Sequence, residues 1–135
     1  MNSDIKAALA VAGAIGMLAT AHGALASMEK SDLKKITGQP LKSLMVGASV
    51  TESYAGVKSH LIEEFSDDGT WQKIGTRAPL YGSYEILKDK ICVEYPKNTK
   101  SCRFVYKSTA NGKFYTRVVG REPSVAVEIA IDKVK

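Results

Sequence analysis

The chain has 135 residues, 44% of them hydrophobic, and 19 Lys+Arg against 14 Asp+Glu give a net charge of +5. One domain with a modest core is the expected scale once any leader is removed. Two cysteines and the single histidine beyond the leader, His60, fall short of a closed zinc site, which takes four ligands. Cys92 and Cys102 do not form Cys-x-x-Cys, which excludes a thioredoxin-like redox motif, and no glycine-rich phosphate loop is present. No cofactor and no metal are expected.

The first element is an export signal. Met1 to Lys6 is a short polar leader, and Ala7 to Ala21 is a run of small and apolar residues interrupted only by Thr20. Ala24-Leu25-Ala26 then supplies the small-x-small pattern of a cleavage site, and the chain turns polar at Ser27. Together these features predict a secretory signal peptide over residues 1–26 and a mature domain over 27–135. The apolar run is shorter than the roughly 20 residues needed to span a bilayer, so the processed protein is not expected to be integral to a membrane. No cysteine lies near the cleavage site and no Arg-Arg pair precedes the apolar run. General secretory export in a bacterium, to the periplasm or beyond, is the expectation. Lys6 and Asp4 leave together, so the mature chain keeps its net charge of +5.

Residues 27–46 read as helical. Ser31 is placed to cap a helix over Asp32 to Ile36, ended by Gly38. Pro40 opens a second helical turn with Leu41, Leu44 and Met45 on one side. Beyond Gly47 the composition changes: every aromatic residue lies there, and turn signals recur at short intervals. That pattern predicts eight strands, at 48–54, 57–66, 70–75, 81–87, 90–95, 101–108, 113–119 and 125–131. All the connections are short, so consecutive strands pair antiparallel.

Two hairpins can be put in register. A three-residue loop at Pro96-Lys97-Asn98 sets Cys92 opposite Cys102, close enough for a cross-strand disulfide. An oxidising compartment makes that disulfide the expected state of the pair. A three-residue loop at Ala110-Asn111-Gly112 sets Phe104 opposite Val118 and Tyr106 opposite Thr116. Arg103, Lys107 and Arg117 then share the other face, as a basic surface. Eight short strands in up-and-down order remove their edges by closing into an antiparallel β-barrel with a short N-terminal helix. An open meander packed on that helix is the alternative.

These features have a familiar order. The segments Phe65-Ser66-Asp67-Asp68-Gly69-Thr70, Gly82-Ser83-Tyr84-Glu85-Ile86, Lys88-Asp89-Lys90-Ile91-Cys92 and Cys102-Arg103-Phe104-Val105-Tyr106 follow a signal and a short helical segment ending in Gly47. The chain resembles a family of small proteobacterial periplasmic proteins with a lipocalin-like or avidin-like barrel, over about Leu33 to Val119. The resemblance implies a fold and carries no catalytic residue.

The chemistry-bearing residues are few. His60 is the one histidine of the mature chain, and its neighbour Ser59 points to the opposite face of a strand, so no nucleophile–base pair is expected and no catalytic residue is assigned. His60 is expected on the surface, across from Thr51. Glu63, Glu64, Asp67 and Asp68 are read as alternating strand faces followed by a hairpin turn rather than as a glycosidase pair. Trp71, Tyr84, Phe104 and Tyr106 are the candidates to line a barrel mouth and bind a small ligand, with core filling as the plainer role. Lysines and arginines between Lys88 and Arg121 outnumber acidic residues and suit either an anionic partner or soluble strand edges. The expected function is a noncatalytic periplasmic binding or accessory protein, taking a small ligand or an anionic envelope or protein partner, with no nucleic acid. The alternatives are a small hydrolase of cell-envelope material and a lysozyme inhibitor that uses the stretch from Glu63 to Asp68.

Overall fold

Alternation of apolar residues builds the strands from Ala48 onward. In Ala48–Tyr54 (β2), Ala48 and Val50 are buried, and in Val57–Phe65 (β3) Glu63 and Phe65 are. The structure is a computed structural model that describes residues 32–75, 77–121 and 126–133. The expected signal peptide, its cleavage site, the Ser31 cap and the turn at Glu122-Pro123 lie outside the described residues. Thr70–Ile74 (β4), Leu80–Ile86 (β5), Ile91–Tyr95 (β6), Thr99–Ser108 (β7), Phe114–Val118 (β8) and Val127–Lys133 (β9) complete the series. Each pairs antiparallel with the next, and β9 returns to β2, closing an eight-stranded barrel. Closure leaves the eight strands no continuous open edge.

The N-terminal part departs from expectation. Leu33–Lys35 is a strand (β1) and not a helix. The reason lies in β7, which is ten residues long while β6 covers only its first half, from Thr99 to Arg103. The exposed ladder beyond Arg103 needs partners. β1 supplies them, pairing Leu33 with Ser108 and Lys35 with Tyr106. Flanking bonds run from the Ile36 amide to the Val105 carbonyl (2.8 Å) and from the Thr109 amide to the Asp32 carbonyl (2.7 Å). Gly38 opens the helix Gly38–Met45 (α1) rather than closing one, with φ of +60° and its amide donating to the Lys88 carbonyl. Leu41 and Met45 are buried, and Leu44 packs beside them, as the helical spacing predicts.

α1 sits over one end of the barrel. Its Leu41 and Met45 join Ala48, Val50, Phe65, Ile91, Val105 and Ile129 in the core. Lys133, at the end of β9, donates to the Ser43 carbonyl (2.5 Å) and the Val46 carbonyl. The Gly47 amide binds the Phe65 carbonyl at 2.8 Å. The apolar core therefore fills the helix end, and the other end carries the polar residues described below.

Two registers matter for the site. β6 and β7 pair as expected, with Tyr95 opposite Thr99 and Cys92 opposite Cys102, whose sulfurs form a disulfide. β7 and β8 are one residue out of the expected register: Phe104 faces Arg117, Val105 faces Thr116 and Tyr106 faces Tyr115. The turn holds four residues, Thr109 to Gly112, bracketed by the Ser108 amide on the Lys113 carbonyl and the Gly112 amide on the Ser108 carbonyl, both 2.9 Å. Ser108 Oγ adds bonds from the amides of Ala110 and Asn111, which fix the wider turn. A slip of one residue exchanges the two faces of a strand. The exchange falls on β8, where Val118 joins Arg103 and Arg117 joins Phe104. The faces of β7 follow β6: Arg103 stands beside the buried Ile91 and Val105 enters the core, which leaves Phe104 and Tyr106 on the outer face. The pairing of β2 with β3 also shifts. Thr51 faces Ile62, Ser53 faces Lys58, and His60 lies in the bulge between, exposed and not across from Thr51.

Candidate functional site

β3 and β7 lie on opposite sides of the eight-strand ring, with three strands between them in either direction. Their inward side chains Glu63 and Arg103 nevertheless touch. Arg103 Nη1 donates to Glu63 Oε2 at 2.7 Å, and Nη2 donates to Oε1 at 3.1 Å. A contact between opposite walls crosses the interior, and this one is a two-point charged bridge with side chains only 11% and 10% exposed. The Arg103 guanidinium also lies 5.9 Å from the centre of the Phe65 ring, above the apolar core. The bridge is the floor of the open end.

Above that floor is a cavity of about 180 Å³. β4 contributes Trp71 and Lys73, two residues apart on the inward face, and β6 contributes Val93 and Tyr95. Leu80, Ser101 and Val118 complete the wall, and Glu52 reaches it from β2 beside the bulge. Trp71 is 3% exposed, its ring 5.5 Å from Tyr95, and its Nε1 has no hydrogen-bond partner. Directly opposite Trp71 stands Gly82, which leaves the indole room. Lys73 is the cross-strand neighbour of Glu63 but forms no ion pair among the described residues; both Glu63 oxygens accept from Arg103. Glu52 accepts a hydrogen bond from the exposed Tyr54 hydroxyl at 3.0 Å. Partial burial, then the nearby carboxylates of Glu52 and Glu63, hold the Tyr54 hydroxyl above its ordinary value.

Of the four expected ligand-binding aromatics, Trp71 alone lines this cavity. Tyr84 closes the core at the helix end. Its ring meets Phe65 edge-on at 5.2 Å and its hydroxyl donates to the Ser66 carbonyl at 2.6 Å. Burial, followed by the charges of Asp67 and Asp68, raises its pKa. Phe104 and Tyr106 stand on the outer face beneath cations: Lys35 Nζ is 3.8 Å from the Phe104 centroid, and Arg117 Nη2 donates to the Tyr106 hydroxyl at 2.9 Å. The expected basic surface divides in the same way. Arg103 is inside, Arg117 is outside against Phe104 and Tyr106, and Lys107 is exposed near the helix end, 5.7 Å from the Phe114 ring.

The acidic cluster separates as alternation requires. Glu63 points in, and Glu64 points out to accept from Gln72. Asp68 turns the hairpin, accepting from the Thr70 hydroxyl (2.7 Å) and amide (3.0 Å), which lower its pKa. The polar and aromatic cavity residues that sequence reasoning missed are Glu52, Lys73, Tyr95 and Ser101, together with the inward role of Arg103 and Glu63. The available signal was spacing, since Glu63 is two residues from Phe65 and Arg103 two from Val105.

Fold and site define a closed β-barrel, plugged by a helix at one end and holding a small polar cavity at the other. Compared with protein-family models, curated proteins and solved structures, the chain matches none.

Proposed function

We propose that the chain is a noncatalytic binding protein of the bacterial periplasm, exported by residues 1–26, which takes a small ligand into the open end of a lipocalin-like barrel. The observation that carries this reading is the cavity of about 180 Å³ at the open end, walled by Trp71, Val93 and Tyr95 and floored by the Arg103–Glu63 bridge. A concave site that joins aromatic and apolar walls to a few charged groups is the kind that holds a small ligand. Binding is favoured over hydrolysis because His60 lies exposed in the β3 bulge, away from the residues that line the cavity. The Cys92–Cys102 disulfide suits an oxidising compartment.

Native mass spectrometry of the protein purified from its own periplasm tests both parts. The expected result is a chain beginning at Ser27 that carries extra mass, lost on denaturation. An unprocessed chain would overturn the export reading. A processed chain of bare mass would overturn the small-ligand reading and move attention to the Lys35–Phe104–Arg117 face.

A further inference from the structure

The exposed apolar residues of the barrel are gathered at one end. Tyr54, Val57, Leu80, Tyr81, Val118 and Val119 are the large hydrophobic side chains left in solvent among the described residues, from 37% to 70% exposed. All six stand where β2 runs into β3, at the start of β5 or at the end of β8, which is the end away from α1. Leu80 and Val118 also line the cavity, so these residues surround its mouth. Apolar side chains gathered in solvent in this way mark a contact surface. Charge follows the same division. Arg77, Lys97 and Arg121 stand in three of the open-end connections and Lys58 beside the fourth, all exposed and none in an ion pair among the described residues. The acidic residue of those connections is Glu122. In the strands beneath, Lys73, Lys100 and Arg117 are balanced by Glu52, Glu94 and Glu128. The turns at the helix end have no excess, since Asp67, Asp68 and Asp89 offset Lys88, Lys90 and Lys113.

We infer that the open end of the barrel docks on an anionic phospholipid surface, with its six exposed apolar side chains in the headgroup layer and Lys58, Arg77, Lys97 and Arg121 against lipid phosphates. Burial of apolar side chains and attraction of cations to an anionic leaflet act together in such binding. Tyr54 and Tyr81 suit the boundary, since each ring is apolar and each hydroxyl stays wet. The apolar and cationic groups are spread over separate hairpin tips around a mouth rather than set in one shaped groove. A fluid bilayer fits that profile without a complementary shape. The inference goes beyond the proposed small-ligand role and uses only the proposed export, which brings the chain within reach of a bilayer. Docking in this orientation turns the cavity mouth toward the lipid.

Co-sedimentation of the protein from its own periplasm with vesicles tests the docking. One set is phosphatidylcholine alone, and the other is phosphatidylcholine and phosphatidylglycerol in equal parts, at about 0.1 M salt, where charges act over roughly 10 Å. Binding to the anionic vesicles is expected to be about tenfold or more tighter. The triple variant Lys58→Gln, Lys97→Gln, Arg121→Gln is expected to lose that preference. Lys42→Gln, Lys88→Gln, Lys113→Gln removes the same charge at the helix end and is expected to keep it. Val57→Ser with Tyr81→Ser leaves the charge unchanged and is expected to weaken binding about tenfold. Every substituted side chain is exposed, and unchanged circular dichroism verifies each fold. Equal weakening by the two triple variants would show attraction without orientation and overturn the inference. Equal binding to both vesicle types, or binding to neither, would also overturn it. A dimer in light scattering that dissociates in the Val57→Ser, Tyr81→Ser variant would assign the apolar residues to a second copy of the chain and overturn the lipid assignment. The small-ligand reading is judged separately, by the added mass in native mass spectrometry.

Discussion

At the scale of single residues, the Arg103–Glu63 bridge governs the interior. Each partner is held by the other at two points, and neither is solvated well enough to stand alone. Removing one partner of such a pair leaves an uncompensated buried charge, which costs about 3 kcal/mol or more, whereas removing both costs much less. Glu63→Leu and Arg103→Leu should each lower the urea unfolding free energy by about that amount, and the double variant should lose far less than their sum. Additive losses would mean that the two side chains do not act as a pair. The same logic explains why Arg103 is not a surface cation. A guanidinium two residues from the buried Val105 faces inward, and it is tolerated there because a carboxylate reaches it from the opposite wall.

At the scale of elements, hairpin registers decide which residues meet. The Tyr95–Thr99 hairpin follows directly from its loop, and with it the cysteine pairing. The β7–β8 hairpin does not, because Ser108 binds two turn amides and widens the loop by one residue. Nothing in the alternation of Phe104 and Tyr106 announces that choice, since aromatics serve equally well inside the barrel or under outer-face cations. A second element-level constraint is the close approach of β6 to β5. A Cβ added at Gly82 would lie 2.0 Å from the Glu94 carbonyl oxygen, a backbone atom that cannot swing aside. Gly82→Ala should therefore force the strands apart and destabilise by about 2 kcal/mol or more, read as a lowered melting temperature. It should also loosen Trp71, which stands opposite Gly82, and red-shift its emission. An unchanged melt and spectrum would show that the sheet relaxes without cost.

At the scale of the molecule, closure of the barrel is independent of the disulfide. Cys92 and Cys102 join neighbouring strands ten residues apart, whereas the ring is closed by the ladder between β2 and β9, from Ala48–Lys133 to Ser53–Glu128. Replacing both cysteines by alanine should cost roughly 2–3 kcal/mol on chain-entropy grounds. The far-ultraviolet circular dichroism should stay that of the parent at 25 °C, with thermal unfolding at a lower temperature. A spectrum of an unfolded chain would show that the apolar core at the helix end cannot sustain the barrel without the cross-link.

Local chemistry determined much on its own. The strand positions from Ala48 onward, the antiparallel order, the Cys92–Cys102 pairing and the apolar side of α1 follow from period-two alternation, short turns and helical spacing, which act within a few residues of each other. Tertiary structure alone decided the rest. Leu33 to Lys35 became a strand because β7 outruns β6 and leaves backbone groups to satisfy. His60 moved out of register through a bulge, and Arg117 left the face of Arg103 for that of Phe104 through one extra turn residue. The cavity exists because closure brings β3 against β7 across the interior, a contact between residues 40 positions apart that no local pattern encodes.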